Sequence, residues 1–438
     1  TMTYLELIRS GSVEPERLEV AFHEAAATGQ AAEFASAIEA EYAAEPDNVL
    51  WAAWHYRLAH ALTGPGEGRA IAWGWAIPLA VINGALLWLL SAERFMLEPA
   101  NTPGFLLTWA PASALCVLIF LAVVGMLGWT RAALISGVLF GLTLYALRAI
   151  PWLDMMAFQE QYTTLMALHL PLLAWSGVGV ALLWRHRDHA NRFAFLLKSL
   201  EVFVVGGVFA IAVGLFITIT AGLFEALNIE LTDAAMRVLV MGIGGLLPVL
   251  TVAIVYDPIL PPTQQPFGDG MSKLVATILR VLLPLTLLVL VIYIAFIPFN
   301  FRAPFENRDV LIVYSAMLFA VVALLTGVTP APTQTLAPVV ARWLRRGMLA
   351  VAALALLVGL YALAAIGYRT WEGGWTPNRL TFVGWNVINL GILAGALAAL
   401  VRSDDKGWPQ AMRRVLSLGM VAYVVWVLLV IVGVPLVF

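Results

Sequence analysis

The chain has 438 residues, of which 61% are hydrophobic and only 12% charged, with a net charge of -2 at pH 7. A soluble domain carries about 25% charged residues, so a large soluble core is excluded, and no basic patch interleaved with aromatics points to a nucleic-acid partner. Cys116 is the one cysteine and lies in an apolar run, which excludes an intramolecular disulfide and a cysteine-based metal site.

Residues 1–66 read as a small unit of their own, a cytoplasmic helical cap. Ser12 suits the cap of a helix that opens at Glu14-Pro15 and closes at Thr28-Gly29. A second helix covers Ala31 to Tyr42, and Asp47 suits the cap of a third that runs to about Leu62. Trp51, Trp54 and Leu58 fall at helical spacing on the last of these and give it an apolar face. Gly64-Pro65-Gly66 then breaks the chain. This stretch has no basic region followed by an apolar one, so membrane targeting is expected from the first true span.

The remainder, residues 67–438, predicts an all-α transmembrane bundle. An apolar stretch of ~20 residues is what a helix needs to cross ~30 Å of hydrocarbon. Eleven such stretches fall near 70–91, 105–127, 132–149, 163–184, 199–223, 236–256, 274–297, 310–329, 347–367, 380–401 and 415–436. The third is short and expected to turn tightly from the second at Trp129-Thr130-Arg131. Lys and Arg stay on the cytoplasmic side of short loops. Fourteen fall in the even-numbered loops and seven in the odd-numbered ones, which puts residues 1–66 in the cytoplasm and, with eleven spans, the C-terminus outside. Trp88, Trp109, Trp129, Trp152, Trp371, Trp375 and Trp408 sit at span ends and suit an aromatic belt against membrane lipids. Gly206-Gly207 with Gly214, Gly242 with Gly244-Gly245, and Gly391 with Gly395 read as close-packing seams.

Four stretches in the second half carry a family resemblance. They are Pro304-Phe305-Glu306-Asn307-Arg308, Gly327-Val328-Thr329-Pro330, Ile366-Gly367-Tyr368-Arg369 and Glu372-Gly373-Gly374-Trp375-Thr376-Pro377-Asn378-Arg379. From about residue 240 onward the chain resembles the bacterial membrane family named domain of unknown function 4153. The resemblance implies a polytopic inner-membrane protein and no established activity. The Gly373-Gly374 pair and Trp375 depart from the family's pattern, which shifts the register before Thr376.

Candidate chemistry concentrates in the loops of that half. Glu306, Asn307, Arg308 and Asp309 share a side with Arg369, Glu372, Asn378 and Arg379 by the predicted topology. A guanidinium binds carboxylate or phosphate through two parallel hydrogen bonds. Arg302, Arg308, Arg369 and Arg379 on the less basic side therefore need partners, either neighbouring carboxylates in a salt-bridge network or an anionic ligand. Glu201, at the start of the fifth span, is expected to pair with Lys198 or Arg192. His169 has no second ligand within a turn, so a backbone carbonyl freed by Pro171 is its expected partner. The turn-rich run from Asp257 to Gly270, with Asp269 in Gly-Asp-Gly, lacks the oxygen ligands of a calcium loop. No metal site or cofactor motif is found.

Three functions fit. A non-enzymatic membrane subunit or scaffold, meeting a membrane or cytoplasmic protein through residues 1–66, is favoured because ionisable groups are scarce at mid-membrane depth. The second is a transporter or lipid-handling permease with an anionic-ligand site at the outer face. The third, an enzyme on a lipid-linked substrate, would need Glu306 or Glu372 as its base.

Overall fold

Hydrocarbon offers no hydrogen bonds, so a chain that enters it must pair its backbone internally, and this one does so almost wholly as α-helix. The computed structural model describes residues 15–27, 31–62, 71–92, 95–97, 102–125, 127–268, 270–334 and 336–438. Its contacts divide the chain into two units, 1–71 and 72–438.

In the first unit the described helices are α1 (Pro15–Ala27), α2 (Ala31–Ala44) and α3 (Val49–Leu62). Asn48, rather than Asp47, caps α3, because its Oδ1 is placed to accept from the amide of Leu50 at 3.0 Å. Trp51, Trp54 and Leu58 pack with Leu18, Ala25, Phe34 and Ile38, so the tryptophan face forms this unit's own core. Arg57 pairs with Glu19 across α1 and α3 and holds its carboxyl below the usual carboxylate range. Ser12, Thr28-Gly29 and Gly64-Pro65-Gly66 lie outside the described residues.

The second unit holds α4 (Trp73–Leu90), α5 (Phe105–Val124), α6 (Trp129–Ala149), α7 (Met156–Leu182), α8 (His189–Ala226), α9 (Asp233–Arg237) and α10 (Leu247–Val255). It continues with α11 (Gly270–Phe296), α12 (Ala303–Glu306), α13 (Arg308–Val328), α14 (Pro338–Gly373), α15 (Pro377–Arg402) and α16 (Trp408–Val437). Among the described residues, eleven helical segments are long and apolar enough to cross a membrane. A two-residue ladder, Met96–Leu97 with Thr102–Pro103, closes the loop between the first two. The bundle is all-α and polytopic, as the sequence predicts.

Boundaries differ from the predicted ones for physical reasons. The third segment is not short: it covers Trp129–Trp152, and Trp129-Thr130-Arg131 form its first turn. The reversal falls just before them, where Gly128 takes φ 74°, a conformation that only glycine adopts without strain. With 38 and 36 residues, α8 and α14 are about 55 Å long, so their polar ends stand clear of the apolar windows from which the sequence marks spans. The sixth segment is interrupted: a π-helical turn, Val238–Ile243, separates α9 from α10.

Hydrogen bonds sort the loops into two ends. At one, Arg237 donates to the carbonyl of Trp88 at 2.7 Å, Asp154 N donates to the carbonyl of Phe438 at 3.1 Å, and Asn378 N donates to Gln161 at 3.3 Å. At the other, Arg345 meets Asp405 at 2.6 Å, and Arg413 donates to the carbonyl of Pro330 at 3.2 Å. There Gln265 staples the turn-rich loop, donating to the carbonyls of Asp257 and Leu260 and accepting from Asp257 N; Asp269 lies outside the described residues. Between the ends, Phe193, Leu318, Leu325, Val351, Ala355, Leu393, Trp408 and Met412 form the main apolar core. Trp408 thus leaves the predicted belt for the core, whereas Trp129, Trp152, Trp371 and Trp375 are exposed.

One glycine seam is realised backbone to backbone. The other two are realised only in part, through Gly206, where a Cβ would lie 3.6 Å from Thr251, and Gly395, where one would lie 3.0 Å from Val415. A Cβ on Gly84 would lie 2.4 Å from the carbonyl oxygen of Gly242, and one on Gly245 would lie 2.7 Å from the Cα of Gly84. Asn83, beside it, donates to the carbonyl of Gly245 at 2.7 Å and to Ser113 at 3.0 Å. By contrast Gly207, Gly214 and Gly391 have no such neighbour within 4 Å. Gly84→Leu is therefore expected to cost about 1–3 kcal/mol or more through overpacking, read as a fall in the unfolding temperature of the solubilised protein. Gly207→Leu should leave that temperature unchanged, and equal effects of the two would refute the assignment of the seam.

Candidate functional site

After Phe296 the long helix gives way to a 3-10 turn, Ile297–Asn300, and the short α12, with Pro298 and Pro304 in their first turns, where a missing amide is tolerated. The short α12 is held by rings. Phe301 lies 5.2 Å from Tyr361 and Phe305 lies 5.7 Å from Tyr368, both on α14, and the Tyr361 hydroxyl donates to the carbonyl of Phe301 at 2.6 Å. This packing brings Arg302 and Glu306 to the last turns of α14, which carry Arg369 and Glu372.

Next comes the double glycine. Gly374 takes φ 72° and ψ 176°, a region closed to side chains, and so ends α14. Gly373 has a separate role: a Cβ there would lie 2.6 Å from the Arg379 guanidinium. Thr376 then caps α15, its hydroxyl accepting from Arg379 N at 3.3 Å, with Pro377 in the first turn. Asn378 and Arg379 are thus fixed at the start of α15, beside the end of α14.

The result is a cavity of about 990 Å³ lined by Phe301, Arg302, Phe305, Glu306, Tyr368, Arg369, Glu372, Gly373 and Arg379. A smaller one of about 180 Å³ adjoins it, lined by Gln161, Leu311, Ile312, Ile366, Arg369, Thr376, Asn378, Arg379 and Phe382. Arg369 and Arg379 belong to both. Of the predicted site residues, Glu306, Arg369, Glu372 and Arg379 meet in the large cavity and Asn378 in the small one. The side chains of Arg308 and Asp309 lie outside the described residues.

The salt-bridge network allowed by the sequence is not formed among the described residues. Arg369 donates to the carbonyls of Glu306 at 2.9 Å and Phe305 at 3.4 Å, and Arg379 donates to the carbonyl of Gly374 at 2.6 Å. Glu372 accepts from the Tyr368 hydroxyl at 2.5 Å. The first amides of α15 are engaged by Thr376 and Gln161, so side chains rather than a bare helix end would hold an anion. Sequence reading missed Tyr368, Phe301 and Phe305, whose aromatic spacing around Arg302 and Arg369 is visible only once α12 folds back.

The other two predicted residues lie elsewhere. His169, 1% exposed, has its Nδ1 2.8 Å from the carbonyl of Leu165, and its Nε2 accepts from the indole N–H of Trp385 at 3.2 Å. The carbonyl is therefore that of Leu165, not the one freed by Pro171, and the two bonds suit the neutral ring that joins α7 to α15. A buried polar column unforeseen in the sequence surrounds it. Asn386 donates to Ser315 at 3.0 Å and Tyr423 donates to Asn389 at 2.5 Å, while Asn386 Oδ1 and Asn389 Nδ2 have no partner among the described residues. Among the described residues no group of His, Cys, Asp and Glu is placed to hold a metal ion.

Glu201 pairs with Lys198 at 2.8 Å, and the two are only 5% and 2% exposed. Ser272 of α11 accepts from Lys198 at 3.0 Å and lies 2.8 Å from the Glu201 carboxylate, and the Phe267 ring lies 5.2 Å from the ammonium. The cluster locks α8 to α11. Removing one partner of a buried pair strands the other charge at a cost of about 3–5 kcal/mol. Lys198→Met and Glu201→Leu are each expected to lower the unfolding temperature sharply, and the double variant to recover part of the loss. Additive losses would show that the pair is not coupled.

No family model matches the chain, and neither a curated protein nor a solved structure does so.

Proposed function

We propose that this multi-pass membrane protein binds an anionic group, a phosphate or carboxylate, in the cavity between α12, α14 and α15, and that it works as a lipid-handling protein or permease. One observation carries the reading: Arg369 and Arg379 line a cavity of about 990 Å³ and, among the described residues, their side chains bond only to backbone carbonyls. A guanidinium has five donors, so each keeps several for a ligand. The volume lies at the upper end of the ~300–1,000 Å³ of small-ligand sites. The aromatic lining gives apolar contact beside the charge.

The scaffold reading has less support in this geometry, because the apolar face of Trp51, Trp54 and Leu58 is buried as the first unit's own core and is not left for a partner. For an enzymatic reading, the acid–base groups among the described residues of the cavity are Glu306, Glu372 and the Tyr368 phenol, and beyond the Tyr368–Glu372 bond no second group is placed to activate any of them. The two-to-one Lys and Arg distribution supports residues 1–66 in the cytoplasm and the cavity and C-terminus outside, and the family resemblance makes the membrane a bacterial inner membrane, the outside its periplasm. Membership of domain of unknown function 4153 is part of the same proposal. It rests on the loop residues that build the cavity, among them Glu306, Arg369, Glu372 and Arg379.

Charge-assisted hydrogen bonds contribute about 1.5–3 kcal/mol each. Arg369→Ala and Arg379→Ala are therefore expected to weaken retention of an anionic phospholipid by roughly 10- to 100-fold in native mass spectrometry, with unfolding temperatures near that of the unaltered protein. Equal retention by all three proteins would overturn the reading. A stoichiometric second protein in place of lipid would return the scaffold to first place.

A further inference from the structure

Opposite charges that share one cavity are free to pair with each other. Here they do not. Three guanidiniums (Arg302, Arg369, Arg379) and two carboxylates (Glu306, Glu372) line the same 990 Å³ space, and among the described residues no ion pair joins them. The arginines that do bond are turned to carbonyls. Glu306 has no side-chain partner among the described residues, and Glu372 has only the Tyr368 phenol. The site therefore presents cationic donors and anionic acceptors side by side, both with unused capacity. An anion alone would meet repulsion from the two carboxylates, and a cation alone would meet it from the three guanidiniums.

We infer that the ligand is a zwitterion that carries a phosphate or carboxylate together with a primary ammonium, the anion on Arg302, Arg369 and Arg379 and the ammonium on Glu306 and Glu372. The inference rests on the anion-binding reading above and adds the amine to it. Phe301, Phe305 and Tyr368 line the same cavity, and aromatic rings attract an ammonium. The surroundings favour a lipid as its source. Phe296, Phe299 and Phe301 are 60%, 81% and 54% exposed along the approach from α11, and Trp371 beside Glu372 is 90% exposed. Such a surface suits acyl chains and the headgroup level of a bilayer. A primary ammonium donates hydrogen bonds to both carboxylates, which a quaternary ammonium cannot do.

The test is native mass spectrometry of the full-length protein exchanged into mixtures of phosphatidylethanolamine, phosphatidylglycerol and phosphatidylcholine, with free phosphoethanolamine as competitor. The expected result is retention of phosphatidylethanolamine at least ~10-fold above the other two, from a single lost charge-assisted bond. The double variant Glu306→Gln, Glu372→Gln should bring it down to the level of phosphatidylglycerol, while Arg369→Ala weakens both. Equal retention of the three lipids by the unaltered protein overturns the zwitterion inference, with no variant needed, and leaves anion binding standing if Arg369→Ala still weakens all of them. If Arg369→Ala changes nothing, the anion reading fails and this inference with it. Displacement by phosphoethanolamine at concentrations equal to those of the lipid supports the zwitterion and makes its source a soluble one.

Discussion

The requirement that every backbone amide and carbonyl find a partner without water governs this molecule from end to end. Helices meet it within each segment, which is why the second unit is a bundle. Where a helix must break, a specific side chain fills the gap. Asn83 reaches the carbonyl of Gly245 beside the π-helical turn, Gln265 staples the turn-rich loop, and Arg369 takes the carbonyls of Phe305 and Glu306. Each of these is a side chain recruited as a backbone partner. The same rule explains why glycine contact matters at Gly84 and Gly245, where one helix meets the irregular segment of another.

Charge follows a second logic at each end. At the opposite end from the cavity, Lys198 and Glu201 are buried together and satisfied by each other, by Ser272 and by the face of Phe267. That cluster is closed, so it reads as a clasp. At the cavity end the charges are held apart. Arg369 and Arg379 are anchored by carbonyls that leave their positive charge intact, because a carbonyl carries no net charge to cancel it. An arginine tethered in this way is ordered before a ligand arrives, which reduces the entropy lost on binding. The clasp is thus neutralised within itself, and among the described residues the cavity charges are not.

The double glycine shows how a local departure gains meaning from three dimensions. In the sequence, Gly373-Gly374 is only an interruption of a loop pattern. In the fold, Gly374 ends α14 at a positive φ and Gly373 leaves room for the Arg379 guanidinium. The pair therefore sets the distance between the last turn of one helix and the first turn of the next. Tyr368, one turn before Glu372, takes up that carboxylate by a hydrogen bond.

Much was legible in the chain itself. Eleven spans, the separate helical unit before them, the Lys198–Glu201 pair and the gathering of Glu306, Arg369, Glu372 and Arg379 at one end all follow from hydropathy and spacing, because these are properties of contiguous residues. The tertiary structure decided what those residues touch. It placed Trp51, Trp54 and Trp408 in cores rather than on surfaces, gave His169 the indole of Trp385, and set Asn386 beside Ser315 and Asn389 beside Tyr423. It also directed the cavity arginines to carbonyls instead of to carboxylates. Such partners come from helices far apart in sequence, and no one-dimensional period records which faces of two helices will meet.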